Sequence, residues 1–262
     1  MLTRLRRWWR QYLLRRSRIP LHQWQQCVAR LPVLSGLSPP ELVRLHELAS
    51  LFLRRKCFVG AGGLDVDEDM RVVIAAQASL LILNLGLDYY DGWYEVVLYP
   101  DTFVVEHREQ DAAGVVHETR RALGGEAWGR GPVILSWADA RPGAHPHGAG
   151  SNVVLHEFAH KLDMLNGHAN GMPPLHRNMA REEWTGALAQ AYRDFSYAVE
   201  QRRDTAIDPY AAESPAEFFA VLSEVFFELP WQLYERYPAA YRQLALFYRQ
   251  DPVQRRPPDQ VV

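Results

Sequence analysis

The chain is poor in cysteine. Its 262 residues hold only Cys27 and Cys57, and neither sits in a CxxC. That excludes a disulfide-built scaffold and a cysteine-rich zinc or redox site, and it points to a reducing, cytoplasmic setting. Long apolar runs are missing too. The longest uncharged stretch, Val72 to Leu87, is 16 residues long and includes Gln77, Ser79 and Asn84. A membrane span needs about 20 mostly apolar residues, so this stretch reads as a buried core helix and no transmembrane segment is expected. No apolar signal-peptide region follows the basic opening. Net charge is nearly absent: 29 Lys and Arg face 31 Asp and Glu, which gives no argument for direct nucleic-acid binding. An EF-hand also fails. Asp65, Asp67, Glu68 and Asp69 cluster, but Met70 stands where that loop needs glycine and Ala76 where it needs glutamate.

What is present suits a folded domain. Hydrophobic residues make up 48% and charged residues 23%, enough for a real core. Seven arginines fall in the first eighteen residues, interleaved with Trp8, Trp9, Tyr12, Leu13 and Leu14. Residues 1–20 therefore form an Arg-rich segment, read as a solvated or amphipathic helix. Residues 251–262 hold three prolines and read as a loose tail. Between them, 21–250 reads as one domain. Ser38-Pro39-Pro40-Glu41 has the pattern of a capping box that starts a helix to about Arg55. A second helix is expected from about Asp67 to Leu85. Segments 94–99, 103–107 and 132–137 are rich in β-formers, with Pro100-Asp101 as turn chemistry between the first two. Helices are expected again over about 181–201, 215–228 and 231–248. There is no internal repeat. The order predicts an α+β fold, mainly helical, with a small mixed sheet before the central motif.

That motif is His156-Glu157-Phe158-Ala159-His160. On a helix, histidines at i and i+4 share a face and can bind one zinc ion, while Glu157 points about 100° away and can serve as general base. Val153, Val154, Phe158, Ala159 and Leu162 make the surroundings apolar, and Ser151 or Asn152 could cap the helix. Lys161 is unusual after the second histidine. A catalytic zinc needs a third protein ligand and an open position. The metzincin extension is absent, because Asp163 replaces its glycine and Asn166 its third histidine. The third ligand must come from elsewhere. The apolar segment Tyr210 to Phe227 offers Glu213, Glu217 and Glu224, since unpaired carboxylates are costly among apolar side chains. Glu217 also completes a capping box with Ser214, so spacing leaves the choice open. Asp163 and Glu224 are candidate acceptors for a ligand imidazole N–H. The other histidines lack paired spacing; His145-Pro146-His147 is taken as loop bordering the cleft.

The segments His156 to Asp163 and Tyr210 to Phe227 resemble the bacterial Mlc titration factor A family of zinc peptidases. The catalytic domain of anthrax lethal factor is similar in the same two places. In both, a tyrosine lies seven residues before a glutamate ligand, an offset that Tyr210 and Glu217 match. The resemblance implies a zincin-like fold and one zinc ion per chain. It implies His156, His160 and Glu217 as ligands, with Glu157 and Tyr210 catalytic. It further implies aminopeptidase-like cleavage of short peptides, and a repressor of the Mlc type as a partner, which would affect sugar-uptake genes. The strand ending in Ile134-Leu135-Ser136-Trp137 is expected to present its edge to an extended peptide. The competing reading is a non-catalytic protein that sequesters a repressor and carries a structural zinc.

Overall fold

The computed structural model describes residues 18–110, 116–123, 125–127, 131–144, 150–205 and 207–255; for 103–123 and for 126 only the backbone is described. The arginines at 4 to 16, His145, His147 and the last seven residues lie outside these ranges.

Among the described residues six strands precede the motif helix: β1 (Cys57–Gly60), β2 (Glu95–Tyr99), β3 (Phe103–Gln110), β4 (Val116–Leu123), β5 (Gly125–Ala127) and β6 (Val133–Ser136). The main sheet runs β1-β2-β6-β5. Its first three strands are parallel and β5 is antiparallel to β6, so the sheet is mixed as expected. Val96 pairs with Val133 and Leu98 with Leu135. All four are fully buried and make the sheet's core face, by the two-residue period of a strand. Pro100-Asp101 leads out of this sheet into a separate antiparallel ladder, β3 with β4. It joins two sheets rather than closing a hairpin.

Helices α1 (Leu21–Arg30), α2 (Pro39–Arg55) and α3 (Glu68–Leu81) build the first half of the core. Ser38 and Glu41 close the capping box at the start of α2. Asp67 caps α3 through its carboxylate, 2.8 Å from the Met70 N–H, so one member of the acidic cluster has a local backbone role. Every residue of α3 from Val72 onward is buried. This helix stops four residues short of the expected Leu85, because the chain tightens into i→i+3 bonds at Leu83 and Leu85 before Gly86 at φ 100°.

After β6 come the short α4 (Trp137–Ala140), the motif helix α5 (Val153–Asp163), α6 (Arg181–Glu200), α7 (Pro215–Glu228), α8 (Pro230–Arg236), α9 (Pro238–Tyr248) and the single turn α10 (Pro252–Arg255). The helix expected over 231–248 is two helices. Pro238 has no N–H to continue the first and pushes Tyr237 to φ −133°, ψ 64°. Residues 251–255, which the composition placed in the loose tail, pack on the body. Arg255 pairs with Glu41 at 2.7 Å, and the Val253 N–H donates to the Tyr241 hydroxyl at 3.0 Å.

The motif helix is held between the two halves. Phe158 enters an aromatic cluster, with ring centroids 5.6 Å from Phe52, 5.2 Å from Tyr90 and 5.7 Å from Trp93. Such rings attract beyond simple burial. Helix α7 lies against α5 and buries Phe218, Phe219, Phe226 and Phe227. That packing fixes the rotation of both helices, and so decides which polar groups meet.

Candidate metal centre

Helix α5 begins at Asn152, whose side-chain oxygen accepts the Leu155 N–H at 3.0 Å. The Asn152 amide nitrogen donates to Gln77 on α3 at 2.8 Å and to Glu228 on α7 at 2.9 Å. One cap thus ties three helices together.

His156 Nε2, His160 Nε2 and Glu217 Oε2 converge. The imidazole nitrogens stand 3.1 Å apart, and Glu217 Oε2 is 3.0 Å from the first and 3.3 Å from the second. These are the atoms, among the described residues, that could hold a metal ion. Ser214 Oγ accepts the Glu217 N–H at 3.1 Å, so half of the capping box forms. The Glu217 carboxylate turns to the histidines instead. Glu213 is exposed and stays outside the trio. Glu224 lies behind His156, with Oε1 2.7 Å from Nδ1, and its Oε2 accepts the Asn152 N–H. A carboxylate can only accept here, so Nδ1 carries the proton and Nε2 presents its lone pair to the trio. Glu224 therefore has the orienting position that the sequence left open between it and Asp163.

Asp163 is fully buried, but its Oδ2 accepts the N–H groups of Asn170 and Gly171 at 2.8 and 2.7 Å. Its Oδ1 and His160 Nδ1 are both buried without a partner among the described residues. Asp163 thus fastens the loop after α5 rather than bonding an imidazole.

Glu157 is 4% exposed, and its Oε2 has no partner among the described residues. Burial pushes its carboxyl up to about 7, while His156 and His160 pull the other way. It lines a cleft of about 250 Å³ together with His156, Tyr210, Asp139, Asp208 and Gly125. Tyr210 sits in a 3-10 turn (Pro209–Ala212) capped by Asp208, whose Oδ1 accepts the Tyr210 N–H at 2.9 Å. Its ring lies 6.1 Å from that of His156. The structure thus gathers His156, Glu157, His160, Tyr210 and Glu217 in one place.

The expected peptide edge is different. β6 is interior, flanked by β2 and β5, and Trp137 already begins α4. The edge strand beside α5 is β5. Sequence reasoning missed β5, Gly125 and Asp208. A glycine within a strand hints at close backbone approach, but β5 is too short to be read as a strand. Asp208-Pro209 resembles any turn.

A parallel sheet edged by one antiparallel strand, a helix with histidines one turn apart, and a second helix supplying a carboxylate define a zincin-like metallopeptidase. The chain belongs to the glucose-regulated metallo-peptidase M90 family, whose sequence model matches residues 5–249. It is 39% identical over 239 residues to Mlc titration factor A of Yersinia pestis (strain Pestoides F) and of Yersinia pseudotuberculosis (serotype O:1b, strain IP 31758). Each match covers 90% of this chain and 87% of the relative. Membership carries with it a bound metal ion and peptide-bond hydrolysis. No helix among the described residues is long and apolar enough to cross a membrane.

Proposed function

We propose that the protein is a zinc-dependent peptidase acting on short peptides, with aminopeptidase-like preference, in which His156, His160 and Glu217 hold the metal. The observation that carries this reading is the convergence of Nε2, Nε2 and Oε2 at 3.0–3.3 Å beside the buried Glu157 carboxylate. Donors on one tetrahedral zinc, with bonds of about 2.0–2.1 Å, stand about 3.3 Å apart, which matches that spacing. Zinc held there supplies Lewis acidity and makes hydroxide available near neutral pH.

The chain's own groups do the rest. Glu224 holds His156 in the tautomer that binds metal. Glu157 takes the proton of the attacking water and passes it to the leaving amine. The Tyr210 hydroxyl donates to the oxyanion, a contact typically worth about 3 kcal/mol. A peptide adding antiparallel to β5 would run along the cleft past Glu157. The structural-zinc reading leaves the buried Glu157 carboxylate beside the trio without a task, whereas catalysis uses it.

Glu157→Ala should keep its metal and lose cleavage of short amide substrates; normal cleavage would sink the reading. Glu217→Ala should lose metal. The relatives' name, Mlc titration factor A, favours a second role beside the first: binding a repressor of the Mlc type. Co-purification of the Glu157→Ala protein with such a repressor tests it apart from catalysis.

A further inference from the structure

We propose that Gly125, in edge strand β5, is a positioning residue for Glu157: the side chain it lacks is the room in which the carboxylate lies. This rests on the reading of Glu157 as general base. A Cβ at position 125 would stand 2.5 Å from Glu157 Cγ, 2.7 Å from Oε1 and 2.8 Å from Cδ. All three are closer than real Cβ contacts come. Backbone conformation does not explain the glycine. Gly125 has no positive φ, and it pairs in register with Leu135 as any strand residue could. Other tightly enclosed glycines abut structural atoms: Gly36, Gly60 and Gly171 meet backbone oxygens, and Gly150 meets Leu229. Of these tightly enclosed glycines, Gly125 is the one that meets a carboxylate.

Glu157 has little freedom to yield. Its backbone is fixed by the Asn152 cap and by Phe158 in the aromatic cluster. Swinging inward brings its charge toward the Glu217 and Glu224 carboxylates that flank His156. Swinging outward moves it into the cleft that it lines with Gly125. The strand expected to receive substrate and the group expected to move the proton are therefore in direct contact. Gly125 sets the distance between them.

The test is the kinetics of Gly125→Ala and one double-mutant cycle with Glu157→Ala, on the metal-loaded full chain. Gly125→Ala should keep its metal and KM and lose about tenfold to a hundredfold in kcat, the scale of a displacement near 1 Å. Glu157→Asp would keep a Cγ where the closest contact lies, so Glu157→Ala, which removes Cγ, Cδ and Oε1 together, is the relieving partner. In melting temperature, Gly125→Ala should cost more stability in the wild-type background than in Glu157→Ala, which lacks the three atoms nearest the methyl. Should Gly125→Ala fail to fold, Gly125→Ala/Glu157→Ala should still fold. Wild-type kcat in Gly125→Ala, or an equal melting-temperature loss in both backgrounds, overturns the proposal. The melting cycle needs no substrate. A protein that couples in melting but hydrolyses no peptide overturns the peptidase reading and leaves the contact standing.

Discussion

Helix α5 carries buried charge on two sides, and the two sides are treated in opposite ways. Toward Trp93 lie two lysines. Lys56 Nζ sits 3.6 Å from the indole centroid and donates to the carbonyls of Tyr90 and Trp93. Lys161 Nζ sits 4.8 Å from the same ring and donates to the Gly131 carbonyl at 2.8 Å. Each amino group donates to a backbone carbonyl and faces an aromatic ring. Toward the cleft, Glu157, Glu217 and Glu224 crowd two imidazoles, and Glu157 Oε2 and His160 Nδ1 have no partner among the described residues. Around Trp93 only the indole Nε1 lacks a partner among the described residues, and both ionisable groups have one; a side that leaves a carboxylate oxygen and an imidazole nitrogen wanting is built to meet something else.

Glu157→Gln puts this contrast at most risk. The change keeps the shape and removes the charge. Turnover should fall about 10²–10⁴-fold, the usual worth of a general base, while urea unfolding shows stability unchanged or raised. A stability loss with turnover intact would place Glu157 with the lysines, as a structural charge. The next effect is on metal. Glu224→Gln weakens the hold on His156 Nδ1 and should lower metal affinity about 10–100-fold, read by competition with a chelator. Unaltered affinity would mean that packing alone orients His156.

How much of this the sequence reveals follows from how local each feature is. His156, Glu157 and His160 are legible because helical periodicity alone brings them to one turn. Glu217 is not, because its carboxylate could as well have closed a capping box with Ser214; the rotation of α7 against α5 decides it. The role of Glu224 turns on which imidazole nitrogen it faces, a matter of packing. The three-residue β5 carries no period to read, and the need for glycine at 125 exists only once Glu157 is in place. Pro238 is the opposite case. Its break was written in the sequence by proline's missing N–H, yet the apolar pattern on either side reads through it.

On the lysine side the expected effects cross over. Lys56→Met leaves the Tyr90 and Trp93 carbonyls unpaired in a buried setting. It should cost about 1–3 kcal/mol, the penalty of an orphaned acceptor, measured by urea unfolding. Turnover and metal content should stay at wild-type values. A loss of turnover would mean that the two sides of α5 are coupled through Trp93 and Phe158, and that the division drawn above is too sharp.

The smallest expected effect is a pH slope. Burial pushes Lys56 down to about 7, with Asp91 pulling the other way, against about 10.4 for a free lysine. Between those values the unfolded chain keeps a proton that the folded chain has released. Stability from this group therefore rises with pH, by at most about 1.4 kcal/mol per unit. Burial lowers Lys161 to about 8, with the same sign over a narrower window. Urea midpoints for metal-loaded protein at pH 7, 8 and 9 should climb in the wild type and climb less in Lys56→Met. Equal slopes in the two proteins would show that the carbonyls and the indole hold the Lys56 proton against burial, so that the lysine side is satisfied in its charged form and only the carboxylate side stores an unmet demand.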